Sequence, residues 1–348
     1  VTTPERSEAP DSPVRATVSG VAAGADPLET TRILRGELGA PHPVPLPRLP
    51  KAMPGTTALT RTVVSLPDLT VSLTPHGWRL TGARAGDDAA ARRARSQQAR
   101  VCADTAEVLA GVPAGPTVLD VVGPATLAAR LALPSGEPVL ADAGARRDLG
   151  QAWAQALPEL AAAVSASVPG AELVLRVHEP DAADVASGRI RSSSGYRVLP
   201  AWDRTLLRSV WEQGVEAAAQ REALVWLPLD ASTEQLQPQL VTRADALVIE
   251  HPGSDPSAWE PVAAWIEAGR SVVVRRAGDT GSVSERARAL AGPWRALGLP
   301  ASALGSLLVD ASGEEPADPA TLRRSATASR DLADALELVR RDDLAALG

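Results

Sequence analysis

Phenylalanine is missing from this chain of 348 residues, and tyrosine occurs once, at Tyr196. Leu, Val and Ala must therefore fill most of the interior, and the 8 Trp, the other large rings, are expected to line any large pocket. Lysine is equally scarce, with Lys51 the only one, so basic charge rests on Arg, a pattern read as coding bias rather than chemical demand. A single cysteine, Cys102, rules out a disulfide within the chain and fits a reducing compartment. No run approaches the roughly 18 apolar residues of a membrane span, and the first residues lack the basic-then-apolar order of a secretory signal. A cytoplasmic protein with no membrane contact is the expectation. A net charge of -7 and a pI near 5.3 leave no concentrated basic surface, which excludes nucleic acid as a partner.

What is present points to a folded α/β protein. The hydrophobic fraction of 45% and charged fraction of 22% are those of a globular domain. Residues 1–14 are polar and Pro-bearing without apolar periodicity, and are expected to be a disordered leader to a single domain over 15–345. A strand candidate at 15–20 (RATVSG) runs into a helix opened by Asp26 as N-cap and Pro27 at its first position. The stretch 42–51 (HPVPLPRLPK) reads as a loop, because each Pro fixes φ and removes a donor. Between 62 and 82, Val63, Val64, Leu69, Val71, Leu73, Trp78 and Leu80 mark short strands, followed by an Ala-rich helix over 87–111.

From there the alternation is regular. Strand candidates stand at 116–122, 171–177, 223–229, 246–250, 271–275 and 305–309, each followed by a helical segment. Leu149, Trp153, Leu157, Leu160, Val164 and Val168 recur at helical spacing and make one apolar stripe. Near-continuous apolar strands alternating with such helices indicate a parallel sheet buried on both faces. With eight strand slots, if one piece before residue 82 supplies the second, and no GxGxxG opening a helix, the pattern favours a (β/α)8 TIM barrel over an open sheet.

In such a barrel the reactive face is built from the C-terminal strand ends and the loops after them. The candidates there are the loop 19–26 with Gly20 and Asp26, the VGP of 122–124, His178 and Glu179, Asp230, Glu250 and His251, Arg275 and Arg276, and 310–313 with Asp310. His42 and His76, both near Pro, read as loop residues, and Cys102 as a buried thiol within a helix. Arg275 and Arg276 read as solvated or carboxylate-paired, with an anion site as the alternative. The Ser-rich loop 181–196 reads either as a surface connection or as a lid.

The segments 120–152 (DVVGPATLAARLALPSGEPVLADAGARRDLGQA), VHEP at 177–180, RGELG at 35–39 and GWRL at 77–80 resemble the C-terminal barrel of cobalamin-independent methionine synthases, over about 15–340. The resemblance implies a barrel of the uroporphyrinogen decarboxylase/methionine synthase type. It also implies a zinc ion, held by His, Cys, Glu and Cys, that activates the thiolate of homocysteine toward a methyl-folate. On the matching positions the first His and Cys fall at Trp226 and Pro228, the Glu at Glu250 and the last Cys at Ser312. The family's Asp-Glu-Pro, an amino acid anchor, reads His178, Glu179, Pro180, and its Gly-Ser reads Gly20, Val21.

Glu250 is thus the zinc-ligand position that retains its residue, and the expectation is a degenerate site without zinc. His178, Asp230, Glu250, His251 and Asp310 are the residues from which a substitute nitrogen and oxygen site could be assembled, against the plainer reading as turn residues and helix caps. Three functions stay open: the methyltransferase the resemblance implies, a non-catalytic barrel binding a small molecule or partner protein, and a lyase like uroporphyrinogen decarboxylase. For the last, the loop 19–26 offers only Asp26 and no Arg toward four acidic substituents.

Overall fold

The structure, a computed structural model, describes residues 12–19, 26–48, 57–82, 88–111, 113, 115–230, 233–253, 255–275, 281–312 and 318–342. Strand β1 (Arg15–Ala16) leads through α1 (Pro27–Leu38) to β2 (Val44–Pro45). An excursion follows, made of α2 (Ala58–Val64), β3 (Thr70–Thr74), β4 (Gly77–Thr81) and α3 (Ala89–Val108). The chain then forms β5 (Thr117–Val122), α4 (Pro124–Arg130), α5 (Ala143–Ser167), β6 (Leu173–His178), α6 (Ala182–Ala186), α7 (Arg204–Ala219) and β7 (Leu224–Leu229). It ends with β8 (Ala246–Glu250), α8 (Glu260–Glu267), β9 (Ser271–Arg275), α9 (Val283–Ala296), β10 (Leu307–Asp310) and α10 (Pro319–Arg341).

Eight strands make one sheet in the order β1-β10-β9-β8-β7-β6-β5-β2, and all neighbours run parallel. Parallel strands taken in chain order, with crossovers on the outside, are the arrangement of a (β/α)8 barrel. Its seam lies between β1 and β2. There the Ala16 N–H donates to Nδ1 of His42 at 3.1 Å, and the Thr17 hydroxyl donates to the Pro43 carbonyl at 2.9 Å. The reason for this side-chain closure is in the sequence of β2. Val44 and Leu46 donate to the carbonyls of Pro116 and Val118, on the β5 side, at 2.9 and 2.8 Å. The alternating residues Pro43, Pro45 and Pro47 have no N–H to offer in the other direction.

The Pro-rich stretch expected to be a loop therefore supplies the second barrel strand. The strands expected over 62–82 need a correction as well. Val63 and Val64 lie in α2, capped by the Thr57 hydroxyl accepting from the Thr60 N–H at 3.2 Å, and the remainder pairs as the antiparallel hairpin β3-β4 outside the barrel sheet. Capping and burial override the β preference of the two valines. After β7 the expected helix is replaced by two short 3-10 turns, Glu234–Leu236 and Pro238–Leu240.

Other elements follow their local signals. Asp26 caps α1, accepting from the Leu28 N–H at 2.9 Å, with Pro27 at the first position. The stripe from Leu149 to Val168 is buried throughout, and Gly214 of α7 meets it so closely that a Cβ would lie 2.2 Å from the Trp153 ring. Cys102 is buried in α3. Val14, at the end of the expected leader, is buried, and its N–H donates to Glu337 at 3.0 Å.

The core has two parts. The larger lies between sheet and helices, and a smaller one fills the barrel itself with Val118, Val174, Trp226, Ala246, Val248, Val273 and Leu308. All 8 Trp are buried and none lines the cavity described below, contrary to the expectation for large pockets. Among the described residues no helix is long and apolar enough to cross a membrane.

Candidate functional site at the barrel mouth

A cavity of about 710 Å3 opens where the strands end, bounded by Ser19 after β1, Arg48 after β2, His178 on β6, Asp230 after β7, and Glu250 and Arg275 on β8 and β9. Strand register sets its floor. Asp120 on β5 lies opposite Arg176 on β6, and Val122 opposite His178, so alternation turns Asp120, Arg176 and His178 toward the barrel interior.

Asp120 is fully buried and organises this floor. Its Oδ1 accepts from Nε of Arg176 at 2.7 Å and lies 2.8 Å from Nε2 of His178, while Nε of Arg48 sits 3.2 Å from Oδ2. Both terminal nitrogens of Arg176 donate to the Val18 carbonyl, at 3.2 and 3.3 Å, so this side chain spans the interior from β6 to β1. Burial alone would raise the Asp120 pKa, but Arg176, then Arg48 and His178, reverse the effect and hold it well below the usual carboxylate range.

Because an ionised carboxylate only accepts, Nε2 of His178 carries the proton in this pair, and Nδ1 keeps its lone pair. The His178 side chain is 32% exposed and lines the cavity, and burial, with Arg176 and Arg48, lowers its pKa against the raising effect of Asp120. The lowered pKa favours the neutral imidazole.

Glu179, the other pocket candidate on this strand end, has a structural task. Its carboxyl accepts from the N–H groups of Ala125 and Thr126 at 3.0 and 2.8 Å and from Nε1 of Trp211 at 3.1 Å. It thereby caps α4, whose own N-cap residue, Gly123, has no side chain to do so. Burial pushes its pKa up to about 7 against these bonds.

Of the remaining expected site residues, Asp230, Glu250 and Arg275 share the cavity wall with His178, whereas His251, Asp310 and Asp26 do not. Glu250 is half-exposed and pairs with Arg275 at 3.2 Å, so the carboxylate-paired reading of Arg275 holds. Nδ1 of His251 accepts from the Gly253 N–H at 2.9 Å while its ring meets Trp259 edge-on at 5.7 Å. Asp230 closes a turn with Thr233, whose hydroxyl accepts from the Asp230 N–H at 3.0 Å. Asp310 is buried, accepts from the Ser312 N–H at 2.9 Å and from its hydroxyl, and has its pKa raised by burial. Asp26 is the α1 cap and lies outside the cavity wall. Gly20, Val21, Arg276 and Gly313 fall outside the described residues. Of the loop 181–196, the first part is α6, and the Ser193 N–H donates to Glu137 at 3.0 Å.

These positions do not fit a zinc ion. Trp226 is buried in the inner core, Pro228 forms cavity wall without a donor atom, Ser312 is turned onto Asp310, and Glu250 is engaged by Arg275. Among the described residues no three His, Cys, Asp or Glu side chains are grouped to hold a metal.

Arg48, Asp120 and Arg176 lie outside the strand ends and following loops from which the sequence leads one to expect the site. The signal was present. A single Asp in TVLDVV and a single Arg in LVLRVH interrupt strands that are otherwise apolar, each two residues before the strand end. A charge in a strand buried on both faces requires a partner.

No family model matches the chain, and no curated protein matches it. Among solved structures it is similar to a B12-independent methionine synthase from Shewanella sp. W3-18-1 in complex with selenomethionine, at 16% identity and a TM-score of 0.43 over 69% of this chain and 67% of that one. It is also similar to a putative sugar phosphate isomerase/epimerase from Anabaena variabilis, at 13% identity and a TM-score of 0.39, covering 73% and 84% of the two chains. A third is morphinone reductase, at 12% identity and a TM-score of 0.42, covering 80% and 79%.

Proposed function

We propose that this chain is a metal-independent barrel protein that takes a small carboxylate-bearing molecule into its mouth, and that it does not perform the zinc-dependent methyl transfer its sequence resemblance implies. The observation that carries this reading is Trp226. The position matched to the first zinc ligand holds an indole packed into the inner core, leaving Glu250 with Arg275 as its partner. Neutral His178 and the guanidinium groups of Arg48 and Arg275 on the cavity wall are what an incoming carboxylate would meet.

The lyase alternative gains one observation, since the mouth brings Arg48, Arg130, Arg176 and Arg275 together where the loop 19–26 offered no Arg. Each of these pairs with a protein carboxylate, respectively Asp120, Asp181, Asp120 and Glu250. That balance favours a ligand with one or two carboxylates over one with four.

Metal analysis of the purified chain beside Glu250→Ala, a methyl-transfer assay with homocysteine and methyl-folate, and calorimetric titration with pyruvate and succinate together test the reading. The expected result is no stoichiometric zinc in either protein, no methionine formed, and saturable binding of at least one acid. Zinc at one equivalent that is lost in Glu250→Ala, with methionine formed, would overturn it.

A further inference from the structure

The two nitrogens of the His178 ring have different surroundings. Nε2 is tied to Asp120 at 2.8 Å, and Nδ1 has no hydrogen-bond partner among the described residues, while the ring lines the cavity. Asp120 cannot swing away, since Arg176 grips the same oxygen at 2.7 Å and Arg48 approaches the other at 3.2 Å. The charged groups facing the ring are Asp120 from β5, Arg176 from its own strand and Arg48 from the segment after β2, whereas the Glu179 carboxyl is turned to α4. A fixed carboxylate on the far nitrogen holds an imidazole in one tautomer and stabilises the imidazolium formed when the near nitrogen takes a proton. Arg48 adds a cation on the same carboxylate and at the same cavity wall.

We propose that His178 is a proton-transferring catalytic residue, positioned by Asp120, and that its substrate is a small 2-oxo acid bound on the Arg48 side of the mouth. The proposal rests on the reading of the mouth as a carboxylate site. A base at Nδ1 accepts an acidic proton, which a C–H beside a carbonyl can supply, and Arg48, although paired with Asp120, presents positive charge on the cavity wall to an anion. A 2-oxo acid carries both within three carbons, and a cavity of about 710 Å3 has room for it.

In the step, Nδ1 takes a proton from the carbon beside the keto group. The C–H electron pair becomes the new C=C bond, and the carbonyl π pair moves onto oxygen. The resulting enolate is balanced by the guanidinium and the imidazolium by Asp120. Return of a proton from Nδ1 to carbon, after exchange with water, restores the acid, and no oxidant, reductant or co-reactant is consumed.

The test is deuterium incorporation at C3 of pyruvate, 2-oxobutyrate and 2-oxoglutarate, followed by NMR with the full chain in D2O against protein-free buffer. At least one acid should exchange about 100-fold faster or more, and His178→Gln should abolish the acceleration. In Asp120→Asn the acid limb of the rate profile should move to lower pH, because the carboxylate that raises the imidazole pKa is gone. Should that variant fail to fold, the 15N shifts of His178 in the unmodified chain report the same relation: protonation at Nε2 supports the proposal, and protonation at Nδ1 overturns it. Absence of exchange with all three acids, or exchange retained in His178→Gln, also overturns it. Calorimetric binding of the same acids separates the two readings. Binding without exchange defeats proton transfer alone, and no binding defeats the carboxylate site with it.

Discussion

Gly123 has no room for a side chain because the carboxyl of Glu179 occupies the space: a Cβ there would lie 2.3 Å from Oε1. The backbone of Gly123 is extended, at φ -82°, so only this contact, and not a left-handed conformation, requires glycine. Gly123→Ala must displace a carboxyl that satisfies two N–H groups of α4 and the Trp211 indole. The expected cost is about 2–4 kcal/mol in urea unfolding, from overpacking together with a lost cap.

The same carboxyl makes stability depend on pH. Its folded pKa of about 7 lies above its ordinary 4.5, so the stabilisation is present below pH 4.5 and is lost as pH rises through 7. Across that window the loss is about 3 kcal/mol in order of magnitude. His178 has the opposite sign: its lowered pKa costs stability as pH falls below 6.5, so the two effects separate above that value. Unfolding free energy should therefore fall between pH 6.5 and about 8, and Glu179→Gln should flatten the slope.

The barrel seam offers a third measurement. Thr17→Val keeps the shape of the side chain and removes the hydroxyl that donates to the Pro43 carbonyl, leaving a buried acceptor on a strand that already lacks donors. A loss of about 1–3 kcal/mol is expected, with faster amide exchange at Ala16. Thr17→Ser retains the hydroxyl and should keep most of the stability and protection.

Trp226→Ala should empty the middle of the inner core. Trp226 is the only aromatic residue of that cluster, and the expected destabilisation is about 3–5 kcal/mol. Stoichiometric zinc uptake by the variant would contradict the account of the site given above.

Asp120→Asn would leave the buried Arg176 without its carboxylate. Breaking such a pair by removing one member costs about 3–5 kcal/mol, and thermal unfolding compared with the unmodified chain measures it. Removing both ends, as Asp120→Leu with Arg176→Met, should recover part of that loss, because the fully buried guanidinium leaves together with its carboxylate, while the Arg48 and His178 contacts are given up.

Much of the barrel was legible in the chain. Strands β5 to β10 stand within two or three residues of the runs expected, because a strand buried on both faces writes itself as a short apolar block, and Asp26 with Pro27 marked the start of α1 through capping chemistry alone. β2 was not legible. Its prolines forbid a central strand, and only the position of β1 across the seam shows that the missing donors face side chains instead of a ladder. Val63 and Val64 misled for a related reason, since burial against the core outweighed their local preference.

For the site, the residue types decided what could not be there, and the fold decided what is. Trp226 and Pro228 offer no ligand atom for a zinc ion and the Ser312 hydroxyl is a poor substitute for thiolate, which is legible from the residue types alone. That Glu179 caps α4, that Arg275 holds Glu250, and that Asp120 gathers Arg48, Arg176 and His178 could be decided only by tertiary structure. Each depends on register between strands distant in sequence, and a charge read from the chain does not name the partner that burial will require.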